Sequence, residues 1–147
     1  MSSAILTSPP ITAARLVIDT DVASFIFKWH PEWAPRYIVL IRGLELAISF
    51  MTIAEMRQGA LNANWDTRKL DVLNTYLADF SVLHSGDILC STWASLRNES
   101  ARKGHPISSA DAWIAATALV LSAPLVTNNP KDYSHLDNLL LVSMASG

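Results

Sequence analysis

Three carboxylates from distant parts of the chain are the residues best suited to do chemistry together. Asp19 directly follows the apolar run Leu16–Ile18. Glu55 lies about one helical turn beyond the run Leu46–Phe50, and Asp111 opens a long apolar segment. Carboxylate oxygens are the hard ligands that Mg²⁺ and Mn²⁺ prefer, and a few of them leave positions open for water and phosphate. Because clustered carboxylates repel one another unless a cation lies between them, this set predicts a divalent-metal site.

Each of these acids also has a purely structural explanation. Asp19 could be the N-cap of a helix that follows a strand. Glu55 is the third residue after Thr52, which is the spacing of a capping box. Asp111 could complement the helix dipole from a first turn. The apolar flanks of Asp19 and the nearly uncharged helix after Asp111 favour the functional interpretation for those two, whereas Glu55 taken alone is evenly balanced.

The apolar pattern predicts strands that alternate with helices. The predicted strands are Arg15–Ile18, Leu46–Phe50, Ser81–Leu83, Leu125–Thr127 and Leu139–Val142. The predicted helices cover Val22–Trp29, about 35–42, about 52–59, Asp66–Phe80, Asp87–Lys103 and about 108–122. This alternation indicates an α/β fold with a mostly parallel central sheet and helices on both faces. Ligands of such sheets bind beyond the carboxyl ends of the strands, where the polar residues are expected to gather: Asp19, Glu55, Asp111, Asn129 and Asp132.

Composition limits the class of protein. The 147 residues fit a single domain, with 1–14 as an N-terminal extension and 15–147 as the domain itself. The apolar stretch Ala112–Val126 is interrupted by Pro124 and is too short to span a bilayer, and no signal peptide is predicted. A lone cysteine, Cys90, excludes an internal disulfide, so a soluble cytoplasmic protein is expected. The net charge of −2 predicts that any nucleic acid is held by a local basic patch, by metal ions or by both.

Taken together, these segments resemble the PIN-domain ribonucleases, and within them the toxin arm of VapBC-type toxin–antitoxin pairs. The resemblance runs from about Leu16 to Val142. The segments that carry it are Ile18-Asp-Thr-Asp-Val22, Thr52-Ile-Ala-Glu-Met-Arg-Gln-Gly59, Gly104-His-Pro106, Ser109-Ala-Asp-Ala-Trp-Ile-Ala-Ala-Thr-Ala118 and Leu125-Val-Thr-Asn-Asn-Pro-Lys-Asp-Tyr133. The helix beginning at Asp111 and the Thr-x-Asn segment are the most specific of the five.

The resemblance implies a PIN-like α/β/α sandwich and an endoribonuclease that depends on Mg²⁺ or Mn²⁺, acting as the toxin of a type II pair. Asp19, Glu55 and Asp111 match the family's acidic ligand positions. Asn129 stands where many members carry a fourth acid, so it would contact a metal through its carbonyl without adding charge, and the number of metals stays open. Three residues are expected to support the site: Asp21 by its charge, Thr127 by orienting neighbours through its hydroxyl, and Asp132.

The same resemblance implies a cognate antitoxin and pairing as a homodimer, with RNA as the substrate. Arg57 and Arg102 are weak candidates for holding RNA phosphates.

Two alternative functions remain at this point. One is a non-catalytic PIN-like module that binds RNA or protein, which the loss of an acid at Asn129 favours. The other is a phosphatase resembling the haloacid dehalogenase superfamily, because Asp19 and Asp21 have the spacing of its nucleophile and acid/base pair.

Overall fold

A parallel sheet forms the centre of the protein, for which a computed structural model describes residues 5–145. The strands are β1 (Ile5–Leu6), β2 (Arg15–Ile18), β3 (Glu45–Ser49), β4 (Ser81–Leu83), β5 (Leu125–Val126) and β6 (Leu141–Val142). They lie in the order β1-β6-β5-β2-β3-β4, and every neighbouring pair is parallel. The order places β2 in the middle, between β5 and β3. The carboxyl ends of these three strands therefore lie side by side.

Helices connect the strands and cover both faces of the sheet. They are α1 (Thr20–Phe27), α2 (Trp33–Ile41), α3 (Phe50–Asn62), α4 (Thr67–Ala78), α5 (Asp87–Arg102) and α6 (Ser109–Leu121), and a short 3-10 helix covers Pro130–Asp132. No helix within residues 5–145 combines the length and apolar character needed to cross a bilayer.

The alternation of side chains along the central strand divides the core in two. Leu16 and Ile18 point to the face covered by α1, α2, α3 and α4, whereas Val17 points to the face covered by α5 and α6. All three side chains are fully buried. This period of two is what a strand buried on both faces requires. The resulting α/β/α sandwich confirms the predicted fold class.

Two local features differ from the predictions. The helix that carries Glu55 begins at Phe50, because the Ser49 hydroxyl accepts the Met51 N–H at 3.0 Å and caps it. The helix was predicted to begin at about Thr52, which instead lies inside it, so the capping box that was the structural alternative for Glu55 does not form. The second difference is β1, an edge strand that was not predicted, which lies within the first 14 residues and pairs with β6.

Candidate metal-binding active site

Asp19 lies at the carboxyl end of the central strand β2, and its carboxylate is held by donors from two segments. The backbone N–H of Asp19 donates to the Val126 carbonyl at 2.9 Å, which extends the pairing of β2 with β5. Its Oδ1 accepts the Thr20 N–H at 2.7 Å, and its Oδ2 accepts the Thr127 hydroxyl at 2.7 Å. The residue is only 7% exposed. Asp19 is thus both the N-cap of α1 and a nearly buried acid, so the structural and functional interpretations hold together.

Asp21 lies in the first turn of α1 and is oriented in a similar way. Its Oδ1 accepts the Val22 N–H at 2.6 Å, and its Oδ2 accepts the Asn128 N–H at 3.0 Å. The donors again come from α1 and from the segment that follows β5. Because both oxygens of each carboxylate have backbone or hydroxyl donors, Asp19 and Asp21 are fixed before any ligand binds.

Asp111 reaches the same place from the opposite face of the sheet. It lies in the first turn of α6, where the Ser108 hydroxyl accepts its backbone N–H at 3.1 Å and caps the helix. Its Oδ1 accepts the hydroxyl of Tyr133 at 3.2 Å. Asp19 lies near the same hydroxyl, because its charge also raises the pKa of Tyr133. Asp19 and Asp111, which are 92 positions apart in the chain, therefore both act on this one phenol.

Glu55 joins this centre through a threonine. It lies in the second turn of α3, and its Oε1 accepts the Thr20 hydroxyl at 2.7 Å. The Thr52 hydroxyl lies 3.0 Å from the same Thr20 oxygen. Because the Thr20 backbone N–H is bonded to Asp19, this one residue connects Glu55 to the acidic centre.

The convergence of negative charge changes how these groups titrate. Burial, together with the charges of Asp21 and Asp111, raises the pKa of Asp19 to about 8, although the hydrogen bonds from Thr127 and Thr20 act in the other direction. Burial also raises the pKa of Asp21 to about 6. None of the ion pairs formed within residues 5–145 includes Asp19, Asp21 or Asp111. The centre is therefore a set of acids that lacks a positive side-chain partner in the described part of the chain.

The chemistry of this donor set fits a hard divalent cation. Its ligand atoms are carboxylate oxygens, and a cation among them would relieve the repulsion that raises the pKa of Asp19. Over the residues that the structure describes, no three His, Cys, Asp or Glu side chains already stand in metal-binding geometry. The fit is therefore one of ligand chemistry, offered by acids that the hydrogen bonds described above hold in position.

The other predicted site residues fall into two groups. Thr127 lies at the centre, where its hydroxyl also accepts the Asn129 N–H at 3.1 Å. The Asn129 side chain is exposed and donates to Asp132 Oδ2 at 2.8 Å. Asp132 is exposed and lies at the rim of the centre, where burial and the charge of Asp111 raise its pKa. Arg57 and Arg102 are exposed. Within residues 5–145, no hydrogen bond or ion pair joins either arginine to the carboxylates of the centre.

Sequence reasoning gave no role to Thr20 or Tyr133, although both lie inside the quoted segments. A hydroxyl between two aspartates, as in Asp19-Thr20-Asp21, is a signal that could have indicated Thr20. Tyr133 had no comparable signal, because its contact with Asp111 depends on how the 3-10 helix packs against α6.

A parallel α/β/α sandwich with an acidic centre at the carboxyl ends of its strands defines the class of protein. The family model for the PIN domain matches residues 16–139, and the chain belongs to this family. Among its relatives are VapC ribonucleases. Ribonuclease VapC1 of Haemophilus influenzae strain R2866 is 28% identical over 124 residues, which are 84% of this chain and 92% of that protein. Ribonuclease VapC5 of Mycobacterium tuberculosis is 32% identical over 135 residues, which are 90% of this chain and 96% of that protein.

A solved structure is similar over the same length. The crystal structure of VapBC2 from Rickettsia felis, bound to a DNA fragment from the promoter, superposes with a TM-score of 0.76 at 25% identity. The match covers 86% of this chain and 96% of that one. The predicted family is therefore confirmed, and the phosphatase alternative is wrong.

Proposed function

We propose that this protein is the toxin of a VapBC-type pair and hydrolyses RNA phosphodiester bonds at the acidic centre formed by Asp19, Glu55 and Asp111. Membership of the PIN-domain family and likeness to VapC ribonucleases make the chain a metal-dependent endoribonuclease by class. The observation that carries the residue assignment is the hydrogen bond from the Tyr133 hydroxyl to Asp111, beside Asp19, whose charge acts on the same phenol. It brings two of the three acids to one point from opposite faces of the sheet.

Four residues of the centre are proposed to contact the metal. Asp19 and Asp111 would be the principal ligands of Mg²⁺ or Mn²⁺, with Glu55 acting directly or through a water. Asn129 remains a proposed contact through its side-chain carbonyl. When bound, such an ion acidifies a water and stabilises negative charge on the phosphoryl oxygens.

The neighbouring hydroxyls keep the acids in place for this task. The Thr127 hydroxyl holds Asp19, and the Thr20 hydroxyl holds Glu55. Asp21 adds a second negative charge beside Asp19 and so strengthens the attraction of a cation. The centre is built on a strand end and on the first two turns of helices, which favours the alignment that phosphoryl chemistry needs.

RNA binding must be local, because the whole chain carries a net charge of −2. Arg57 follows Glu55 by two positions on α3 and is exposed, and Arg102 is exposed at the end of α5. Both arginines are proposed to contact phosphate groups of the RNA. Their removal is expected to weaken RNA binding and to leave metal binding unchanged.

A solved relative supports a protein partner for this chain. VapBC2 from Rickettsia felis was solved as a complex, and this supports a cognate antitoxin for the present chain. A homodimer and a cytoplasmic location complete the proposal. Co-expression with the product of the neighbouring reading frame, followed by size-exclusion chromatography with light scattering, tests the partner and the copy number together.

Cleavage of RNA by the purified protein tests the activity. Cleavage should stop with EDTA, return with Mg²⁺ or Mn²⁺, and fall by at least about 100-fold in Asp19→Asn and Asp111→Asn. The matched control is Asp71→Asn, which alters an exposed aspartate on α4. Cleavage that persists in both centre variants would contradict the site. RNA that binds in EDTA and is never cut when metal is added would support the non-catalytic module instead.

A further inference from the structure

Tyr133 places a phenol hydroxyl at the acidic centre from inside the hydrophobic core. The residue is fully buried and packs in the core cluster on the α5 and α6 face, together with Ala112, Leu136 and Leu139. Its backbone N–H donates to the Pro130 carbonyl at 3.0 Å, which ties it to the 3-10 helix. The ring therefore has a fixed position, and its hydroxyl is delivered to Asp111 rather than free to rotate away.

Asp111 depends on this hydroxyl more than Asp19 or Asp21 depends on any single donor. Asp19 has donors on both oxygens, and so has Asp21. Within residues 5–145, the Tyr133 hydroxyl, at 3.2 Å, is the one side-chain donor to the Asp111 carboxylate. An ionised carboxylate only accepts hydrogen bonds, so the phenol must be the donor in this pair. Without that donor, nothing else described at the site fixes the orientation of the Asp111 carboxylate.

We propose that Tyr133 is a positioning residue, whose hydroxyl holds the Asp111 carboxylate in the orientation in which it binds the divalent cation. The inference rests on the proposed function and adds a residue to the same site. A carboxylate has about four acceptor positions, so it can keep the phenol hydrogen bond and still offer oxygen to a cation. Burial and the nearby carboxylates raise the pKa of Tyr133, so the phenol keeps its hydrogen throughout the neutral range.

The test compares two tyrosine-to-phenylalanine variants for Mn²⁺ binding, measured by electron paramagnetic resonance without RNA. Tyr133→Phe keeps the buried ring and removes only the hydroxyl, and its Mn²⁺ affinity is expected to fall by about 10-fold or more. The control is Tyr76→Phe, which removes a hydroxyl bonded to the Ala23 carbonyl at 2.9 Å, away from the carboxylates. That variant should bind Mn²⁺ as the wild type does. In RNA cleavage, Tyr133→Phe should lower kcat by about 10–100-fold and leave KM unchanged.

Mn²⁺-dependent stabilisation separates positioning from a structural role. For each protein, the melting temperature is measured with EDTA and with saturating Mn²⁺, so that any general loss of stability cancels in the difference. A smaller Mn²⁺-induced rise in Tyr133→Phe supports the proposal. An unchanged rise with unchanged affinity, or tighter Mn²⁺ binding, would overturn it. Because these measurements use no RNA, a wild type that binds Mn²⁺ but does not cut RNA would refute the proposed function alone.

Discussion

Replacing Asp19 by asparagine in the metal-free protein should remove most of the dependence of stability on pH near neutrality. Asparagine has nearly the same shape as aspartate and can still accept the Thr20 N–H through its carbonyl. It cannot ionise, however. The variant therefore isolates the cost of placing a negative charge at this nearly buried position beside Asp21 and Asp111.

The magnitude follows from the shifted pKa. The folded state keeps the Asp19 proton up to about pH 8, whereas the ordinary value for an unfolded chain is 3.8. Because the folded pKa is raised, the stabilising effect is present at low pH and is lost as the pH rises between these two values. The slope is at most about 1.4 kcal/mol per pH unit, so the wild type should lose on the order of 2–3 kcal/mol more than Asp19→Asn between pH 5 and pH 7.

Urea unfolding in EDTA at several pH values measures this difference. Asp71→Asn, on the exposed surface of α4, is the matched control and should follow the wild type. The comparison between variants cancels the contributions of titrating groups away from the centre, whereas the repulsion between Asp19 and Asp21 is part of the measured difference. Parallel stability curves for the wild type and Asp19→Asn between pH 5 and pH 7 would refute the reasoning, because they would mean that Asp19 is already ionised in the folded protein.

Three further predictions concern the metal and the groups around it. The rise in melting temperature caused by Mn²⁺ should be larger at pH 8 than at pH 6, because a protonated Asp19 must release its proton before it can bind the ion; an equal rise at both values would contradict this. Thr127→Val removes the hydroxyl that donates to Asp19 and should lower kcat by about 10–100-fold, whereas Thr127→Ser should restore most of it in steady-state assays. Ser108→Ala removes the N-cap of α6 and should cost about 1 kcal/mol in the free energy of unfolding measured with urea, while a loss near zero would show that the cap is dispensable.

Local pattern was sufficient to predict most of the elements and the identity of the central acids. The run Leu16–Ile18 is apolar at every position because a central parallel strand is buried on both faces, and the structure buries all three residues. The start of α6 was also predictable, since Ser108 is a strong N-cap ahead of an apolar segment. Thr52 shows where local pattern misled. The capping-box spacing to Glu55 is real, but Ser49 caps the helix three residues earlier.

Contacts between distant segments determined the features that local sequence pattern could not predict. Pairing of β1 with β6 joins residues about 136 positions apart, and a two-residue strand carries too little local signal to predict it. The hydrogen bond of Tyr133 with Asp111 and that of Thr20 with Glu55 exist only once α1, α3 and α6 have packed on the sheet. The elevated pKa of Asp19 has the same origin, because desolvation and nearby charge are properties of packing. The amino-acid sequence by itself thus determined which acids are present and that they fall at a strand end or early in a helix, whereas the tertiary structure decided which donors hold them and how strongly they repel.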